Sequence, residues 1–244
     1  MKKRILTGVA AAAALALALT GCARADEDPN NTQAGGDHIA ADQNEMNAQP
    51  EENLGEGGTL RLYNNAFPAN FNTATADGNE KNTKDIMDAV YPGLYKYTAD
   101  GQVIPNELYA KRIEQTNESP QTIEIELVEG HKWSDGTPID WKSIKNTFDA
   151  MVNEEFNVAS REGFDRVEKV EKGDNDYTAV VTFKEGEVYA DWIGLAGVMP
   201  DQLVASAKEF NEGWVNGPKV TAGPYTIDKI DSANKSVTLK PDEN

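Results

Sequence analysis

Few residues in this chain have the types and spacing that do chemistry. Among 244 residues there are 2 His and 1 Cys. His131, Ser134 and Asp135 have the types of a nucleophile, base and orienting carboxylate. Close neighbours on one turn rarely meet in that geometry, so His131 reads as a satisfied surface histidine. Two histidines argue against a His-rich metal site. Acidic side chains number 41, so carboxylate pairs carry little information. Glu154-Glu155 reads as a solvated helix end, and Asp174/Asp176 as a turn. The chain has no Gly-x-x-x-x-Gly-Lys loop, no Gly-x-Gly-x-x-Gly and no Gly-x-Ser-x-Gly elbow. Gly55, Gly57 and Gly58 follow a polar stretch rather than a strand and read as linker. On these residues the expectation is that the chain is not an enzyme.

Cys22 is different, because its surroundings give it a role. Met1-Lys2-Lys3-Arg4 is cationic, Ile5 to Leu19 is apolar and too short for a good membrane span, and the run ends Leu19-Thr20-Gly21-Cys22. This is the layout of a secretory signal over residues 1–21 closing on a lipobox, in which the Cys22 thiol takes a diacylglyceryl group. Two or more acyl chains hold a protein stably on a bilayer. Cleavage before Cys22 takes Lys2, Lys3 and Arg4 from a chain of net charge −18 and leaves −21.

Residues 22–57 then read as a disordered acidic tether. From Ala23 to Gly57 nine acidic residues face one Arg, and Ile39, Met46 and Leu54 are the only large apolar side chains. Such a stretch buries too little to offset its ordering entropy. With 23 Lys+Arg against 41 Asp+Glu and no basic block past the N-terminus, the chain lacks the cationic surface that nucleic-acid binding needs.

Structure signals begin at Gly58. Thr59-Leu60-Arg61-Leu62-Tyr63 alternates and predicts a strand. Asn82-Thr83 is an N-cap candidate for a helix whose face is Ile86, Met87 and Val90, stopped by Pro92-Gly93. Ile123, Ile125 and Leu127 alternate with Glu124 and Glu126, a half-buried strand. Thr137-Pro138 leads into an amphipathic helix carrying Trp141, Ile144, Phe148 and Met151. Tyr177, Ala179, Val181 and Phe183 alternate after a turn at Gly173-Asp174-Asn175-Asp176. Tyr189 to Met199 reads as buried helix or strand, and Leu203 to Phe210 as a short helix. Tyr225, Ile227 and Ile230 pass through Asp231-Ser232-Ala233-Asn234 to Val237 and Leu239, a final hairpin. The mixture is α/β or α+β, and element order alone does not choose.

Four collinear stretches resemble the extracellular solute-binding proteins of family 5, the peptide- and nickel-type receptors of ABC importers. Val128 to Ile139, containing Gly130-His131-Lys132-Trp133-Ser134-Asp135-Gly136-Thr137-Pro138, resembles the family's strand and "G-x-[KR]-[WF]-S-D-G-x-P" turn before a helix. Ala89 to Tyr95 resembles its "L[FY]-[ED]-G-L" segment, with Pro92 where an acidic residue is common. Gln102 to Leu108 resembles its "x-P-x-L-A" segment, with Tyr109 intruding, and Thr221 to Ile227 resembles its "G-[TS]-G-P-Y" return strand. Each motif also reads as scaffold: Asp135-Gly136 makes a tight turn, and Gly223-Pro224 kinks the entry to an edge strand.

The resemblance implies an α/β, periplasmic-binding-protein-like fold of type II, two-lobed, of which this chain carries the first lobe only, with mixed β-sheet and flanking helices. It implies residues 58–90 as the start of the first subdomain, 91–199 as an inserted second subdomain and 200–244 as the return to the first. Members are longer and usually continue past the stretch ending at Asn244, so the chain is expected to be a fragment without its second lobe. The implied partners are a small solute or an oligopeptide, the permease subunits of an importer, and the bilayer through acylated Cys22; no cofactor is implied. The place is outside the cytoplasm, at the cell membrane. The other role considered is a lipoprotein of the same fold acting in envelope glycolipid or cell-wall assembly or in sensing. By resemblance, Phe71 to Asn79 lines the ligand cleft. Asp77, Gly78 and Asn79 would approach the ligand, with Asp77 able to pair with a cationic group, or would form a plain polar turn. Phe156 and Phe164 would offer an aromatic wall or pack in the core, and Trp192 reads as core.

Overall fold

The computed structural model of the chain describes residues 57–242, together with Asn53 and Gly55. The signal and lipobox expectations for residues 1–22, and nearly all of the tether, lie outside the described residues.

The helix predicted around Ile86 is α1, Lys81–Val90. Its N-cap is Glu80, two residues before the predicted cap, so Thr83 lies inside the helix and is buried with Met87 and Val90. Tyr91 ends it in an extended conformation ahead of Pro92-Gly93, as the bias of a residue before proline requires. Two short strands follow, β1 (Tyr95–Tyr97) and β2 (Val103–Pro105), which the sequence reading did not mark. They pair antiparallel, Tyr95 opposite Pro105.

The main sheet contains β3 (Ala110–Glu118), β4 (Gln121–Leu127), β5 (Val167–Lys172) and β6 (Thr178–Phe183). Its order is β3-β4-β6-β5, antiparallel at each pairing. The alternation read in β4 is realised residue by residue: Ile123, Ile125 and Leu127 are buried, while Thr122, Glu124 and Glu126 are half-buried. On the charged face Arg112 of β3 pairs with Glu114 and, across the strands, with Glu124, an opposite-charge ladder of the kind that pins register. The buried face is covered by α2, Trp141–Val152, whose Ile144, Phe148 and Met151 point inward. Asp140 caps α2 by accepting a hydrogen bond from the Lys142 N–H at 2.8 Å. The predicted turn at 173–176 joins β5 to β6.

Three expectations need correction. Residues 59–63 form no strand among the described residues. Leu60, Leu62 and Tyr63 are more than four-fifths exposed, and alternation makes two faces but no strand without a neighbour to complete its ladder. Residues 189–199 are neither helix nor strand: a 3-10 turn at Trp192–Leu195 leads into extended chain, held by the Met199 N–H donating to the Ser143 carbonyl of α2 at 2.9 Å. The predicted helix 203–210 is two helices, α3 (Asp201–Val204) and α4 (Ala207–Glu212). They break at Ser206, whose side chain accepts from Glu209 N–H and starts α4 afresh.

The last hairpin is β7 (Tyr225–Asp231) with β8 (Ser236–Pro241). It returns to α1: Ala222 and Gly223 both donate to the Val90 carbonyl, at 3.1 and 3.0 Å. A β-carbon on Gly223 would lie 2.7 Å from Tyr91 N, so glycine is required there by contact with the end of α1.

Candidate ligand-binding face

The loop from Asn70 to Asn79 is built by its own asparagines. The Asn70 side chain accepts from Asn72 N–H at 2.9 Å, and the Asn72 side chain accepts from Ala74 N–H at 3.1 Å, two successive turns in which a short amide mimics backbone. Thr75 then bonds back to the Asn72 carbonyl through its N–H at 3.1 Å and its hydroxyl at 2.8 Å. Both amide NH2 groups are spent on α4: Asn70 donates to the Asn211 carbonyl at 2.7 Å and Asn72 to the Phe210 carbonyl at 2.9 Å. Asn70, Asn72 and Thr75 are buried, and a buried amide without such partners would cost its desolvation.

The tip of the loop stands on a second contact. Ala76 N–H donates to Asn157 carbonyl at 3.0 Å, and Ala159 N–H donates to Ala74 carbonyl at 2.9 Å. Gly78 closes the turn from inside. A β-carbon on it would lie 2.7 Å from the Asn72 carbonyl carbon and 3.0 Å from the Asn70 oxygen. Gly78 is buried and packs on the loop's own backbone, so the close approach it permits is internal. Asp77 and Asn79 on either side are exposed. The Asp77 carboxylate has no hydrogen bond or ion pair among the described residues.

Beside this loop opens a cavity of about 660 Å³, with Asn72, Thr73 and Ala74 in one wall and Met87, Tyr91 and Leu94 in another. Tyr95, Tyr97 and Tyr109 also face it. Two of these phenols are held by main-chain carbonyls, Tyr91 by Val198 at 3.1 Å and Tyr109 by Ala222 at 3.0 Å. Burial pushes the Tyr91 phenol well above its ordinary value, and burial with the nearby Asp242 carboxylate raises that of Tyr109. Both stay neutral at physiological pH. Lys84, Asp88 and Lys96 also line the cavity, so apolar surface and fixed phenol dipoles stand beside a few charges, a composition open to small molecules and peptides.

The other sequence-derived candidates fall as follows. Phe71 is fully buried beneath the loop, its N–H donating to Trp214 carbonyl at 3.1 Å. Phe156 is buried and stacked on Phe210, ring centroids 4.3 Å apart. Phe164 packs edge-on against Phe148 of α2 at 5.3 Å. In the described residues these three rings are packing residues; Asp77 and Asn79 present side chains outward, and Cys22 lies outside the described residues. His131 Nε2 sits 2.8 Å from the Leu108 carbonyl, Ser134 Oγ accepts from Thr221 N–H at 3.1 Å, and Asp135 is engaged by Thr137 and Gln202. They form no catalytic array. Among the described residues no group of three or more His, Cys, Asp or Glu is set to hold a metal ion. Sequence reading included Asn72 and Thr73 in the loop without giving either a role, and it passed over Asn70 and the tyrosine wall. The Asn70-x-Asn72 spacing, suited to consecutive side-chain turns, was a signal that could have marked the loop.

Comparison with known proteins places this geometry. The profile of the bacterial extracellular solute-binding proteins, family 5 middle, matches residues 104–244. The oligopeptide-binding protein OppA of Mycobacterium bovis is 34% identical over 201 residues, covering 80% of this chain and 34% of OppA, and that of Mycobacterium tuberculosis matches equally. The chain thus spans about a third of the length of these curated relatives. Among solved structures, the periplasmic EDTA-binding protein EppA aligns with TM-score 0.63 at 22% identity, over 73% of this chain and 34% of that one. AppA of Bacillus subtilis, solved with a nonapeptide, aligns with TM-score 0.60 at 18% identity, over 72% and 35%. NikZ of Campylobacter jejuni, solved with Ni(L-His), aligns with TM-score 0.57 at 19% identity, over 69% and 32%. These likenesses show a shared periplasmic-binding-protein fold, of which the described residues form part. The chain belongs to the bacterial extracellular solute-binding proteins of family 5.

Proposed function

We propose that this chain supplies one jaw of the substrate-binding lipoprotein of an ABC importer, which captures an extracellular oligopeptide and hands it to the permease. The observation that carries the reading is family membership over residues 104–244, joined to an open face made of loop 70–79 and the adjoining cavity. The oligopeptide is preferred because the relatives at 34% identity are named as oligopeptide-binding proteins. An extended peptide is held by main-chain hydrogen bonds and side-chain pockets. Here the exposed Asp77 would meet its cationic groups, and the aromatic part of the cavity lining would take its apolar ones.

In this reading residues 58–90 and 200–244 form one subdomain and 91–199 the other. The bonds from Ala222 and Gly223 to Val90 support the return of the chain to its beginning. Cys22 carries the acyl anchor, and the acidic tether holds the folded part off the outer surface of the membrane. Capture and release are binding steps, so no covalent chemistry is assigned to any residue. The test is thermal: the protein, produced from its complete gene and purified, is melted with pools of synthetic oligopeptides, nickel chelates and oligosaccharides. The proposal expects stabilisation that saturates with the peptide pool, about 2.7 kcal/mol at a hundredfold excess over Kd. Stabilisation by another pool alone, or by none, refutes it.

A further inference from the structure

The receptor reading leaves open what holds the ligand-facing loop in place. Three segments distant in sequence meet at Asn211, the fifth residue of α4. Its carbonyl accepts from the Asn70 amide at 2.7 Å. Its side-chain oxygen accepts from Asn157 N–H at 2.7 Å, and its side-chain NH2 donates to Glu155 carbonyl at 3.2 Å. Asn157 in turn offers its carbonyl to Ala76 N–H at 3.0 Å, one residue before Asp77. The triangle is closed: α4 holds the base of loop 70–79 through Asn70 and Asn72, and through Asn211 it holds loop 155–157, which carries the tip. Each arm ends on main chain, so position is fixed whatever side chains occupy the tip. A hydrophobic residue could pack in the same place but could not hold loop 155–157 with a donor and an acceptor at once.

We infer that Asn211 is a positioning residue for ligand binding: it braces loop 155–157 beneath Ala76 and thereby presets where Asp77 and Asn79 meet the ligand. This rests on the receptor reading, and a preset loop spares the ordering entropy that binding would otherwise have to meet. Asn211→Ala removes both side-chain arms and leaves the main-chain bond from Asn70. Asn211→Asp keeps the acceptor for Asn157 N–H and loses the donor to Glu155.

The test is hydrogen exchange of the ligand-free protein, followed by melting with a randomised synthetic pentapeptide pool. Asn211→Ala is expected to raise exchange at amides 74–79 about tenfold, the scale of one to two modest hydrogen bonds. Asn211→Asp falls between, amides of β4 and α2 stay unchanged, and the stabilisation given by the pool drops in the same order. Unchanged exchange at 74–79, or an equal rise through β4 and α2, overturns the inference. So does raised exchange at the loop with the pool's effect intact. A wild-type protein indifferent to the pool overturns the receptor reading itself, and the exchange result then still decides whether Asn211 braces the loop.

Discussion

Replacing Gly78 by Ala perturbs the candidate face at its tightest point. The added carbon would fall on the Asn72 carbonyl, nearest its oxygen and 2.7 Å from its carbon, against about 3.5 Å for an unstrained carbon pair. The overlap, about 0.8 Å at the carbon and larger at the oxygen, falls on backbone, which is itself held by the bonds of Thr75 to the Asn72 carbonyl. A flexible side chain could turn away, but this carbonyl moves only if the loop moves. The cost is that of overpacking, about 1–3 kcal/mol. For a fold of this size each kcal/mol lowers Tm by about 2–4 °C, so a change near the middle of that range gives about 4–8 °C by differential scanning calorimetry. Gly194→Ala is the matched control, since a carbon there meets nothing within 4 Å and its backbone does not need positive φ. It should be neutral or slightly stabilising, by up to about 1 kcal/mol. Gly78→Ala should also weaken ligand binding, because relief of the overlap displaces Asp77. If Gly78→Ala melts with the wild type and binds equally well, the close packing of the loop on itself is not what shapes this face.

Phe156→Ala, which removes a ring stacked on Phe210, should cost about 3–5 kcal/mol in urea unfolding, whereas a ring that served the ligand would cost binding and leave the fold intact. Asp77→Asn should stay within about 0.5 kcal/mol of wild-type stability while weakening peptides with a cationic group, read by calorimetric titration. Asp140→Ala, by removing the cap on Lys142 N–H, should cost about 1 kcal/mol, seen as a lower urea midpoint. Acid should act on the last hairpin: hydrogen bonds from the Lys229 ammonium and then from Asn234 hold the Asp231 carboxyl well below its usual range. A carboxyl lowered in the folded state adds stability above its unfolded pKa of about 3.9, and that stability is lost as pH falls through the folded value. Urea midpoints measured downward from about pH 4 should therefore fall less steeply in Asp231→Asn than in the wild type.

The elements whose faces alternate against a single partner were legible in the sequence. β4 and α2 bury the residues their periods mark, because both turn those faces into one core and tertiary context agrees with local pattern. The hairpins at 173–176 and 231–234 were legible from turn chemistry. Residues 59–63 were not: Leu60 and Leu62 alternate as a strand does, yet a strand needs a neighbour, and periodicity cannot supply one. β1 and β2, three residues each, are too short to show a period. At the candidate face, sequence pointed to a loop that borders the cavity but not to the work its residues do. Gly78 serves the loop's own closure, Phe71 and Phe156 face inward, and the bonds by which Asn70 and Asn72 hold the loop were not legible. Their partners Phe210 and Asn211 lie more than a hundred residues away in the chain, a separation that no local pattern reports.

The central claim is that ligand meets this chain at loop 70–79 and the cavity beside it. Hydrogen exchange of the purified protein with and without a saturating synthetic oligopeptide locates that contact directly. The account predicts slower exchange at residues 72–79 and 91–97, with the charged face of the β3-β4-β6-β5 sheet unaffected. Protection confined to that sheet, or a bound peptide that leaves residues 72–79 exchanging as before, would contradict it.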